Sequence, residues 1–158
     1  MYKKILVPVD GSPTSDAGLE EAIRLGRQCG AQLRLLHVVD QMPLAMSAEG
    51  FGGMAIDVLG LLKEAGERVL AQARARVEAA GLPVDTVLVD SPNSRLSDHV
   101  TAVARAWPAE LIVIGTHGRR GIGRALLGSD AEQVVRHAPV PVLLYRLVET
   151  PGADTGQA

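Results

Sequence analysis

Residues 111–129 read LIVIGTHGRRGIGRALLGS. Four aliphatic residues run without interruption and stop at a glycine, after which residues 115–129 hold five glycines and three arginines. An unbroken Leu/Ile/Val run bounded by glycine is the pattern of a strand buried on both faces, as in a parallel sheet. Whatever follows such a strand emerges at the carboxyl edge of the sheet, where open α/β sheets hold their ligands. The stretch is either a cradle for phosphates or a basic connector, and its neighbours decide whether it lies on such an edge.

Downstream, Ser129 to His137 reads as a helix, and Ala138-Pro139 leads to a last strand, VPVLLYR at 140–146. Upstream, a helix from Ser94 to Ala106 ends before Trp107-Pro108, and AELIVIG (109–115) is the strand that follows. PVDTVLVD (83–90) is a further strand, preceded by a long helix over 55–80 that Gly81 and Pro83 close. KKILVPV (3–9) and AQLRLLHVV (31–39) are strands as well. The helix between them is capped by Ser12 or Thr14 and stopped by Gly30. Residues 40–53 lack either period and read as a loop, and the Pro/Gly-bearing tail 149–158 reads as disordered beyond a single domain at 1–148.

Strands and helices therefore alternate throughout. Near-continuous aliphatic strands joined by helices predict an α/β fold: a doubly wound, Rossmann-like, five-stranded parallel sheet with helices on both faces. Asp10, Val39, Asp90 and Gly115 fall at carboxyl ends of strands. The opening stretch lies on the functional edge.

Composition narrows the partners. Phe, Tyr and Trp number one, two and one, so an aliphatic core must be built from Ala, Val, Leu and Ile. The formal net charge of −2 supplies no global field to attract nucleic acid or an anionic membrane, which leaves any basic site local, at Arg119, Arg120 and Arg124. A single cysteine, Cys29, excludes an internal disulfide and suits a half-buried apolar position at a helix end. No secretory signal and no run of about 20 apolar residues is present, so a cytoplasmic location without membrane insertion is expected.

Familiar nucleotide motifs do not fit the glycine stretch. A P-loop needs a lysine before its Ser/Thr, but Ser129 follows Gly128 directly. A dinucleotide fingerprint built on Gly121 and Gly123 would need glycine at 126, which is leucine. The ingredients of anion binding remain. Glycines 115 and 118 let backbone approach a ligand, and Gly128-Ser129 opens a helix whose first amides carry the positive end of the dipole. The competing reading gives the glycines to tight turns and makes Ser129 a helix cap. Spacing alone leaves both open.

The pattern G-x2-G-x9-G-[ST], filled by Gly115, Gly118, Gly128 and Ser129, resembles that of ATP-binding universal stress proteins. KKILVPVDGS, LRLLHVVD, LIVIGTHGRRG and HAPVPVLLYR are similar to that family in the same order, and together span about residues 2–146. The resemblance implies strand order 3-2-1-4-5 and ATP held between the ends of the first and fourth strands. It places Asp10 and Val38 at the adenine and ribose end, with Pro8 and Val9 beside them, and Ile114 and Gly115 on the floor. His117 and Gly118 would meet the ribose–phosphate region. Gly128, Ser129 and the amides of Asp130 and Ala131 would meet the phosphates. It also implies a homodimer joined through 140–146. Asp130 departs from the small apolar residue usual after the Gly-Ser pair; a carboxylate suits a helix N-terminus yet competes with phosphate there.

Each candidate has a plainer role. Asp10 suits an Asx-turn or helix cap. Arg119 and Arg120 could neutralise phosphates or form a solvated basic loop, the reading preferred for Arg124. His37 and His137 suit packing and the helix dipole, and His99 the surface. No G-x-S-x-G elbow accompanies Ser129, and no histidine spacing marks a metal site, although Mg²⁺ can arrive with ATP. The expected function is a nucleotide-binding regulatory protein of the stress response with little or no turnover. The alternative is a slow ATPase or nucleotidyl-transferring enzyme, which would draw on Asp10, Asp130 or His117.

Overall fold

In the computed structural model, which describes residues 1–39, 55–90, 95–116 and 128–146, the aliphatic runs become the strands of one sheet. The elements are β1 (Lys4–Pro8), α1 (Pro13–Cys29), β2 (Gln32–Val38), α2 (Ala55–Ala79), β3 (Val84–Val89), α3 (Leu96–Ala106), β4 (Leu111–Gly115), α4 (Ser129–His137) and β5 (Val142–Tyr145). Every strand pairing is parallel, and the order is β3-β2-β1-β4-β5. This is the doubly wound sheet expected from the alternation.

Strand parity divides the core in two. Ile5, Val7, Leu33, Leu35, Leu111 and Val113 face α1 and α2, where Leu19, Ala22, Leu70 and Val77 meet them. Leu6, Leu36, Ile112 and Ile114 face the other way, onto Val100 and Ala104 of α3 and Ala131 and Val134 of α4. Because both faces are covered, β1 and β4 carry apolar residues at consecutive positions rather than alternate ones. Fully burying each large side chain contributes roughly 1.5–3 kcal/mol.

Local chemistry sets the ends of these elements. Ser12 is the N-cap of α1, its Oγ accepting the Ser15 N–H at 3.2 Å, and Gly30 ends the helix at φ +59°. The helix expected from Ser94 begins instead at Leu96. Arg95 is its N-cap, and the Asp98 carboxylate accepts the Arg95 N–H at 3.2 Å, while Ser94 lies outside the described residues. The final strand is shorter than 140–146. Pro141 has no N–H to give, so it contributes only its carbonyl, to the Ile112 N–H at 3.0 Å, and the regular ladder starts at Val142. Cys29 is half-buried at the end of α1, and its carbonyl accepts from Lys3 Nζ at 2.8 Å. The loop 40–53 lies outside the described residues, as does the tail 149–158.

α1 also crosses the end of β4. A Cβ built at Gly115 would lie 2.7 Å from the Thr14 carbonyl oxygen, so the absent side chain is what lets α1 settle there. Gly115→Ala should cost about 1–3 kcal/mol by overpacking. At Gly60, on the exposed side of α2, a Cβ meets nothing within 4 Å. Gly60→Ala should instead stabilise by about 0.5–1 kcal/mol. Urea unfolding of the two variants checks both signs.

Candidate functional site

The sheet reverses its order between β1 and β4, because the connection from β1 leaves toward one face and the connection from β4 leads to a helix on the other. Such a point leaves a crevice at the carboxyl edge.

One wall is the turn from β1 into α1. The Val9 N–H donates to the Leu36 carbonyl at 2.8 Å, which holds the end of β1 against β2. The Asp10 N–H then donates to Ser15 Oγ at 3.1 Å, and Asp10 Oδ1 accepts the Ser12 N–H at 2.8 Å. Gly11 takes φ +76° at the corner. Asp10 thus performs the turn role foreseen for it, and Oδ1 is committed to that turn. Pro8 and Val9 are buried, and Val38 is half-buried at the end of β2.

The other wall is where β4 ends and α4 begins. Ile114 is buried and Gly115 half-buried. The Thr116 N–H donates to the Tyr145 carbonyl at 2.9 Å, and the Thr116 carbonyl accepts the Gly128 N–H at 2.8 Å. The described structure stops at Thr116 and resumes at Gly128, and this hydrogen bond joins those two residues. Gly128 is the N-cap of α4 and supplies no side-chain cap. The first intrahelical bond runs from the Glu132 N–H to the Gly128 carbonyl at 2.9 Å. The N–H groups of Ser129, Asp130 and Ala131 precede it and have no partner within the helix. Ser129 and Asp130 are exposed, whereas the Ala131 side chain is buried, so only its amide could meet a ligand.

The charge here is mixed. Asp130 and Glu132 stand in the first turn of α4 and offset the positive end of its dipole. Arg119, Arg120 and Arg124, weighed above as phosphate partners or a solvated basic loop, lie outside the described residues with His117 and Gly118. Among the described residues, no group of three or more His, Cys, Asp or Glu side chains is placed to hold a metal ion, and no helix is long and apolar enough to cross a membrane.

Of the residues picked from the sequence, Pro8, Val9 and Asp10 form the first wall, and Ile114, Gly115, Gly128 and Ser129 the second. Gly115 also has a packing role: its missing side chain makes room for the Thr14 carbonyl of α1. Thr116, buried and closing the base of the segment, was not singled out; its only signal was its position between Gly115 and His117. His37 is buried as expected but also bonds to the end of β1, with Nδ1 2.7 Å from the Val9 carbonyl. His137 sits exposed at the end of α4 with Nδ1 2.9 Å from the Gln133 carbonyl, and His99 is half-buried rather than a plain surface residue.

Strand order defines a doubly wound α/β protein whose switch point lies between β1 and β4. Residues 1–146 match the model of the universal stress protein family. The chain belongs to that family. It is 33% identical over 147 residues to a universal stress protein of Methanocaldococcus jannaschii, covering 92% of this chain and 83% of the relative. A solved structure of another protein from that organism superposes with a TM-score of 0.81 at 24% identity, covering 95% of this chain and 99% of the other. A universal stress protein family member from Arabidopsis thaliana, solved with AMP bound, gives a TM-score of 0.65 at 19% identity, with 91% of each chain covered. Likeness at these two identities carries the fold alone.

The turn role of Asp10 is separable from any ligand role. Asp10→Ala loses the acceptor for the Ser12 N–H and should cost about 0.5–2 kcal/mol, whereas Asp10→Asn keeps an oxygen there and should stay within about 0.5 kcal/mol of the parent in thermal or urea unfolding.

Proposed function

We propose that this protein binds an adenine nucleotide, ATP above all, in the crevice between β1 and β4. It acts as a cytoplasmic stress-response regulatory homodimer rather than as a catalyst of turnover. The observation that carries the reading is the closure of the β4–α4 connection by the Gly128–Thr116 hydrogen bond, which sets the open N–H groups of α4 at the end of β4. A helix start beside a strand end is a recurrent seat for phosphate. The AMP found in the Arabidopsis relative supports an adenine nucleotide as the ligand class.

In this reading Asp10 and Val38 take the adenine and ribose end, with Pro8 and Val9 beside them, and Ile114 and Gly115 form the floor. His117, Gly118 and Arg119 belong to the segment whose two ends meet at the crevice, and they take the ribose and phosphates. Gly128, Ser129 and the amides of Asp130 and Ala131 take the distal phosphates. The donor set fits a phosphate group because it consists of main-chain N–H groups and one hydroxyl. Mg²⁺, if it accompanies ATP, would be held chiefly by the phosphates.

Isothermal titration with ATP, ADP and AMP tests the proposal, and absence of binding by all three would sink it. Asp130→Asn removes a negative charge from the helix start, where such a charge counts for about 0.3–1 kcal/mol. ATP affinity should therefore rise about 2- to 5-fold while AMP affinity moves less. Radiolabelled ATP incubated with the pure protein should remain intact.

β5 closes one edge of the sheet, and Leu144 is 38% exposed on it. An aliphatic edge strand invites pairing with a second copy. Val142→Asp and Leu144→Asp should yield monomers by light scattering; an unchanged mass would place the dimer contact elsewhere.

A further inference from the structure

His37 is buried in β2 at 2% exposure. Its Nδ1 lies 2.7 Å from the Val9 carbonyl oxygen, one residue before Asp10. A carbonyl only accepts, so Nδ1 carries the hydrogen and donates it. The regular β1–β2 register ends at Pro8 opposite Leu36, and the Val9 N–H donates to the Leu36 carbonyl at 2.8 Å. The imidazole therefore extends the attachment beyond the ladder, to the residue from which the Asp10–Gly11–Ser12 turn departs. On the opposite side α2 presses on the ring. A Cβ built at Gly66 would stand 2.7 Å from His37 Cδ2 and 3.1 Å from Nε2, so the ring takes the room that a side chain at Gly66 would need and packs directly on α2.

An apolar ring of the same size would fill this space but would leave a buried carbonyl without the donor that it has now. Space-filling alone does not account for a histidine whose Nδ1 meets the carbonyl one residue past the end of β1.

We propose that His37 is a positioning residue for the crevice: packed against Gly66, it clamps the Val9 carbonyl and sets the direction in which the Asp10 turn enters the site. The inference rests on the nucleotide reading of that crevice, and it makes α2 part of the frame that holds the site. Small misplacements of a binding group weaken binding out of proportion to their size, because the ligand must then reorganise the wall itself.

The test compares the parent, His37→Phe and His37→Asn, each held below its own unfolding temperature. In titrations with ATP, His37→Phe should weaken binding about 10-fold or more, while His37→Asn, whose amide can still donate to the carbonyl, should stay within about 3-fold. In the nucleotide-free proteins, amide exchange at Val9, Asp10 and Ser12 should quicken in His37→Phe while Ile112 and Val113 of β4 keep parental rates. Unchanged ATP affinity in folded His37→Phe, or exchange that quickens evenly across the sheet, would overturn the proposal. If the parent itself binds no ATP, the nucleotide reading fails, and the exchange pattern alone decides whether His37 clamps the turn. Should His37→Phe not fold, Gly66→Ala displaces the ring from the other side and is judged by the same two measurements.

Discussion

The approach of α1 to the end of β4 governs much of what surrounds it. The Thr14 carbonyl lies where a side chain at position 115 would stand, and Gly18 packs close to the Gly115 amide. A helix that leaves β1 can cover the neighbouring strand β4 only if that strand ends in a residue without Cβ. Because it can, the order reverses cleanly at this point, and the two faces of the sheet each receive a pair of helices. The crevice is a by-product of that packing.

The polar groups around the crevice hold its walls. Asp10 Oδ1, Ser12 and Ser15 close one turn on themselves. The Thr116 carbonyl closes another by accepting from Gly128. What is left for a ligand on the second wall is main-chain N–H at the start of α4, which favours an anion, beside the carboxylates of Asp130 and Glu132, which oppose one. That balance is why nucleotides of different charge are expected to respond differently to a change at Asp130. A family fold hosts such a site without dictating its strength, since affinity depends on side chains that vary over a constant frame.

Much of this was legible in the chain. LIVI before Gly115, ILVP after Lys4 and the LRLLHV run marked strands covered on both faces, because only burial on both sides removes the alternation of polar and apolar residues. A cap at Ser12 or Thr14, Gly30 and Gly81 as stops, and Asp10 as a turn residue followed from local hydrogen bonding and backbone sterics that need no tertiary information. Of the two caps, the folded chain uses Ser12. The start of α3 moved from Ser94 to Leu96 because Asp98 pairs with the Arg95 N–H, a choice between neighbouring caps that composition does not rank. At Gly115 the spacing shows that a side chain is missing, not that the Thr14 carbonyl stands against it.

Patterning along the chain was enough for the class of fold, the alternation of elements, the two-sided burial of the strands and the placing of Asp10 and Gly128-Ser129 on one edge. These follow from periodicity and turn chemistry, which act over a few residues. Three things waited for the folded chain: the packing role of Gly115, the closing bond between Thr116 and Gly128, and the reach of His37 to Val9 under Gly66. Each joins residues from separate elements, and which atoms meet there depends on how helices settle on the sheet, a packing outcome that no local stretch encodes.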